Sequence, residues 1–73
     1  MGLFGLRGKK LVIEWLAAQY RDVAMMPPDQ AQRQAEADWT ADSAQAAEQA
    51  GAFAGMVQGM LGRKVDPRRV GRF

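Results

Sequence analysis

Two consecutive prolines, Pro27 and Pro28, constrain this chain more than any other feature. A proline lacks an amide hydrogen and pushes the preceding residue out of the helical region, so an element leading up to Met26 must stop there. At the first position of a helix the missing amide would have no partner anyway, and Asp29 in the first turn suits the positive helix end. The segment Met26-Pro27-Pro28-Asp29 therefore ends one helix and starts another. A corner this short and stiff joins antiparallel neighbours, which makes the expected fold all-α, an αα-hairpin.

Before the corner, residues 9–25 read as the first helix. Val12, Leu16, Tyr20 and Val23 follow one another at helical spacing, Ile13 and Ala24 widen that face, and Leu11 and Trp15 form a flanking stripe. The polar strip of Lys10, Glu14 and Arg21 is narrow. A helix apolar most of the way round is buried on more than one side, and one partner helix cannot cover it.

After the corner, residues 28–61 are rich in Ala and Gln and favour helix throughout. The expectation is one long second helix of roughly 50 Å at the α-helical rise, continuous or kinked near Thr40. Asp42-Ser43-Ala44-Gln45 resembles a capping box with Asp in the place of Ser or Thr, which is what suggests a kink there. Ala31 and Ala35 mark one side of the polar first half. From Trp39 onward, Trp39, Ser43, Ala46, Ala50, Phe53, Val57 and Met60 alternate steps of four and three, the spacing of a coiled-coil-like seam. Gly62 closes the helix, with Arg63 and Lys64 suited to its negative end. The chain thus divides into a flexible, apolar and Gly-rich leader (1–8), the helical hairpin (9–62) and an extended basic tail (63–73).

A domain of 73 residues is small enough to be marginal alone, and such scaffolds usually carry a disulfide or metal, or associate with a partner. This chain has neither Cys nor His. Disulfides are excluded, and structural zinc is not held by carboxylates alone. The commonest general base and the best thiol nucleophile are also missing, and Thr40 and Ser43, the hydroxyl nucleophiles besides Tyr20, have no suitable base within helical reach. The expectation is a non-enzymatic protein with no cofactor, no metal and no small-molecule substrate. The acidic residues Glu36, Asp38, Asp42 and Glu48 read as a solvated helix face.

Charge is unevenly spread. Residues 1–26 carry Arg7, Lys9, Lys10 and Arg21 against Glu14 and Asp22; residues 27–50 are acidic; residues 51–73 carry Arg63, Lys64, Arg68, Arg69 and Arg72 against Asp66. A basic tail can bind phosphates without reading sequence, or an acidic protein groove, and Phe73 could anchor it. No motif of sequence-specific nucleic-acid recognition accompanies it. The chain lacks a basic segment followed by a long apolar run, so no secretory signal is expected. The longest uncharged stretch, residues 49–62, is shorter than the roughly 20 apolar residues of a membrane-spanning helix.

Two further features point to binding. Gly51, Gly55 and Gly59 recur every four residues on the side of the helix opposite Phe53, Val57 and Met60. Each glycine costs about 1 kcal/mol relative to alanine, and close approach of another helix would offset it. That helix could be the first helix of the hairpin, a second copy, or a larger complex. The aromatic residues Trp15, Tyr20, Trp39 and Phe53 read as packing anchors of the hairpin or as hot spots of a protein interface, which would take Trp15, Trp39, Phe53, Val57 and Met60 together with the three glycines. Trp15 and Trp39 lie twelve residues to either side of Pro27, and the hairpin would set them at similar height, packed together.

The opening Met-Gly-Leu-Phe-Gly, residues 1–5, and the Ala/Gln bias of residues 30–50 resemble short proteins of tailed-phage particles, a resemblance of composition without a motif. It implies a structural or assembly component. The Gly-Leu-Phe-Gly start before Arg7, Lys9 and Lys10 is also similar, over about five residues, to membrane-inserting fusion peptides; the myristoylation pattern is not met, because Leu6 stands where Ser or Thr is needed. Three functions follow as expectations. The first is a helical subunit docking in a larger assembly such as a virion. The second is a soluble regulatory protein covering a site on another protein, as a homodimer through Gly51, Gly55 and Gly59. The third is a peripheral membrane protein using residues 3–20. The expected location is the cytoplasm or a large particle.

Overall fold

In the computed structural model, residues 8–62 are described; the expectations for an apolar leader and a basic tail fall on residues 1–7 and 63–73, outside them. The described residues form three α-helices and no strand: α1, Lys9–Asp22; α2, Pro28–Ala41; α3, Ser43–Leu61. The all-helical expectation holds, but the two-helix hairpin is corrected to three helices, because the long second helix is two.

The break lies at Asp42, whose backbone is extended (φ −160°, ψ 94°). One residue serves both flanking helices there. The Asp42 amide donates to the Asp38 carbonyl at 3.0 Å, its carbonyl accepts from the Ala46 amide at 2.9 Å, and its Oδ1 accepts from the Gln45 amide at 3.1 Å. That last bond satisfies one of the free amides at the start of α3. Just before the break, the Thr40 hydroxyl donates to the Glu36 carbonyl at 3.0 Å, a contact that bends helices. Tertiary packing favours the break. Helix α1 has only 14 residues, about 21 Å at the α-helical rise, so half of a straight 28–61 helix would run past it into water. Turning at Asp42 brings α3 back, and all three helices pack on one another, α1 with α2 most extensively.

The first corner also differs from expectation. Helix α1 stops at Asp22 rather than near Met25, and the chain opens in a widening turn. The Val23 and Ala24 amides share the Gln19 carbonyl at 2.8 and 3.3 Å, and the Met26 amide reaches the Tyr20 carbonyl at 3.0 Å. Met25 is left-handed, φ 60°, a conformation disfavoured for any residue with a Cβ. Pro28 opens α2 with Asp29 in the first turn, as read from sequence. Gly62 ends α3 at φ 68°, its amide bound to the Gln58 carbonyl at 2.8 Å.

The core lies between the three helices. Val12, Ile13, Trp15, Leu16, Ala17 and Ala18 come from α1, Ala31 and Ala35 from α2, and Ala46, Ala50, Phe53 and Ala54 from α3. Helix α1 is buried on two sides, as its narrow polar strip requires, and α2 and α3 each cover one. Seven of these twelve core residues are alanine, so the helices approach closely and few large side chains are buried. The rings of Trp15 and Phe53 meet edge to face. The expected Trp15–Trp39 pair is corrected. Trp39, near the end of α2, is half-buried against the cluster and makes no ring contact among the described residues. The turn at Asp42 carries Phe53 back to Trp15 instead.

Candidate functional site

Three surface regions have enough chemical character to be weighed as a site. The first is a shallow groove of about 400 Å³ between α1 and α2, lined by Lys9, Lys10, Ile13, Glu14, Gln32 and Glu36. Two ammonium groups face two carboxylates there, so the groove offers no net charge to a ligand. Among the described residues no group of three or more Asp or Glu is placed to hold a metal ion.

The second is a polar cluster that ties the helices together. The Tyr20 hydroxyl on α1 donates to the Asp38 carboxylate on α2, whose other oxygen accepts from Gln34 Nε2 at 3.0 Å. Gln49 Nε2 on α3 donates to Gln19 Oε1 on α1 at 3.0 Å. Partial burial of the phenol, foremost, and the hydrogen bond to Asp38 raise the Tyr20 pKa above its ordinary value, with Gln49 acting the other way. Each of these side chains is hydrogen-bonded to another of them, so the cluster reads as a clamp between helices. Periodicity does not reveal it, because Tyr20 falls on the apolar face of the first helix and Asp38 in the acidic run of the second.

The third region is the outer face of α3. Ala52, Gly55, Met56, Gly59 and Met60 are all exposed, with helical spacings that place them along one stripe. Met56 is 54% exposed and Met60 80% exposed. No charge interrupts residues 49–62. A Cβ added at Gly55 or Gly59 would meet nothing within 4 Å, so the first helix of this chain does not pack there. Two helix-interior glycines at about 1 kcal/mol each are thus not offset by contacts among the described residues.

The residues singled out in the sequence fall into two groups. Trp15 and Phe53 are core, Trp39 and Val57 are half-buried against it, and Gly51 is half-buried. Gly55, Gly59 and Met60 lie on the outer face. The seam therefore holds from Ala46 to Val57 and fails at both ends, where Ser43 and Met60 are exposed. Met56, the central large side chain of the outer face, was missed; its spacing of four from Met60 was the available signal. Helices α1 and α3 run antiparallel, as the Gln19–Gln49 and Trp15–Phe53 pairs fix, and this register brings the partly exposed Leu11 to the level of Val57. Leu61 is exposed to a similar extent at the same end. Arg63, Lys64, Arg68, Arg69 and Arg72 lie outside the described residues.

No helix of the described residues is long and apolar enough to cross a membrane. Comparison with protein-family models, with curated proteins and with solved structures found no match.

Proposed function

We propose that this protein works by binding rather than by catalysis, as a small helical subunit that docks on neighbouring proteins of a larger assembly through the outer face of α3. One observation carries the reading: Met56 and Met60 are exposed on an uncharged stripe whose glycines, Gly55 and Gly59, have no neighbour among the described residues. Exposed methionine is adaptable and common on binding surfaces, and glycine lets a second backbone come close. The alanine-rich core points the same way, since it buries little large apolar surface and leaves stability to be gained from a partner. A virion is one setting for such a subunit.

The regulatory alternative, a soluble protein covering a site on another protein, uses the same face and differs in the partner. The membrane alternative draws less support. Of its apolar residues, Val12, Ile13, Trp15 and Leu16 are already packed in the core and would have to leave it to reach lipid.

The test is site-directed photocrosslinking in cells that produce the protein. A photoreactive residue at position 56 is expected to capture neighbouring proteins, and one at the exposed Arg33 position on α2 is expected not to. Equal capture at both positions, or none at 56, would reject the outer face as the docking surface.

A further inference from the structure

We infer that the face of α1 that holds α3 also accepts α3 from a second copy of this chain, the two copies exchanging α3 by straightening at Asp42. This goes beyond the docking function and does not rest on it, because it involves the inner face of α3. A single residue joins α2 to α3. Two bonds of a continuous helix already run through it: the Asp42 amide donates to the Asp38 carbonyl, and the Asp42 carbonyl accepts from the Ala46 amide. Only the φ and ψ of Asp42, extended at −160° and 94°, have to become helical. The straight form then gains bonds from the Ser43, Ala44 and Gln45 amides to the Trp39, Thr40 and Ala41 carbonyls, amides that have no helical partner at the start of α3. It loses the Asp42 side-chain cap on Gln45.

The contacts within the chain identify the partner. A straight helix of residues 28–61 carries Ala46, Ala50, Phe53 and Ala54, buried in the single chain, past the end of its own α1. A second copy supplies another α1, left bare by the same movement. Trp15 of one copy then meets Phe53 of the other edge to face, and Gln19 of one meets Gln49 of the other, as they do within one chain. Every contact between α1 and α3 is remade between copies, so no new complementarity is needed, and the two-fold exchange closes on itself. A very short connection between packed elements invites such exchange. Releasing α3 also uncovers only one large core side chain, Phe53, beside three alanines. The two forms differ chiefly at the hinge, so Asp42 and protein concentration set the balance between them.

The experiment uses the full chain, whose lack of cysteine makes single-cysteine variants unambiguous. After heating through the thermal transition and cooling, sedimentation is expected to find dimer at about 1 mM and monomer at about 10 µM. Asp42→Ala removes a cap that only the single-chain form uses. It is expected to shift the balance about fivefold per chain, and so to lower the dimer dissociation constant roughly thirtyfold. Ser43→Pro acts the other way. Proline suits the first position of α3 and holds Asp42 extended, but a continuous helix cannot accept it. This variant is expected to keep its helix content and stay monomeric at every concentration. A mixture of Gln19→Cys and Gln49→Cys chains, heated and cooled together and treated with a short thiol cross-linker, is expected to link 19 to 49 in preference to like with like. Only exchange brings those positions together across chains. Parent and Asp42→Ala both monomeric at about 1 mM overturn the inference, as does a folded Ser43→Pro that dimerises like the parent. A dimer in which 19 links to 49 no faster than 19 to 19 or 49 to 49 overturns it as well, and this readout decides alone if Ser43→Pro loses its helix.

Discussion

The rings of Trp15 and Phe53 meet edge to face, with centroids 5.8 Å apart and planes at 73°. Beside the Gln49–Gln19 hydrogen bond, this contact ties α3 onto α1, and both side chains are almost wholly buried. An edge-to-face pair adds to the area that each ring buries. Phe53→Ala is expected to destabilise the fold by about 3–5 kcal/mol, the usual cost of removing a buried aromatic ring. For so small a core that removes most or all of the cooperative thermal transition. Urea titration followed by circular dichroism measures it. A loss under about 1 kcal/mol would mean that α3 is not anchored through this ring.

Met25 gives a prediction of opposite sign. It is left-handed at φ 60° and 80% exposed, so its side chain contributes little packing to set against the backbone strain. Met25→Gly removes a penalty of roughly 1–2 kcal/mol and adds the smaller entropy cost of glycine. The variant is expected to unfold at higher urea than the parent. A lower midpoint would show that the turn before Pro27 is not strained.

At Asp42 the side chain caps α3 through the Gln45 amide. Asp42→Ala is expected to cost about 1 kcal/mol, and Asp42→Asn or Asp42→Ser to cost little, because those residues cap as well. Equal losses for Ala and Ser would show that the break is held by packing alone.

The Tyr20–Asp38 clamp makes stability depend on alkaline pH. The folded-state pKa of Tyr20 lies above its ordinary 10.0, so the folded protein holds the phenolic proton more tightly than the unfolded chain does. This contribution is fully present below pH 10.0, falls through the interval above it, and is gone once pH exceeds the folded pKa. Tyr20→Phe is expected to remove this part of the alkaline loss of stability. Matched thermal melts at neutral pH and above pH 10 test it, and an unchanged alkaline slope in the variant would rule out the clamp.

Gly55→Ala separates the monomer from its associations. Alanine has open space there and restores about 1 kcal/mol of helix propensity. The monomer should become more stable in denaturant while docking weakens. A destabilised monomer would mean that another part of the chain already occupies the stripe.

The local decisions were legible in the sequence. Pro27 and Pro28 fix a helix start by sterics, Gly62 supplies the left-handed conformation that ends α3, and the spacings of Val12 and Leu16, of Ala31 and Ala35, and of Ala46, Ala50, Phe53 and Val57 mark the buried faces. Each of these signals acts within one or two helical turns, so no distant residue is needed to read it. The tertiary structure decided what depends on distance: that α3 leaves the line of α2 at Asp42, that Phe53 rather than Trp39 meets Trp15, and that Tyr20 finds Asp38. The capping pattern at Asp42 was visible, but capping makes a break affordable without requiring one. What requires it is the length of α1, too short to cover a straight helix of residues 28–61, and that comparison exists only once the helices pack. The outer face of α3 was decided the same way. Sequence placed Gly55 and Gly59 on one side, and only the packed helices show that this side, with Met56 and Met60 beside it, is left open.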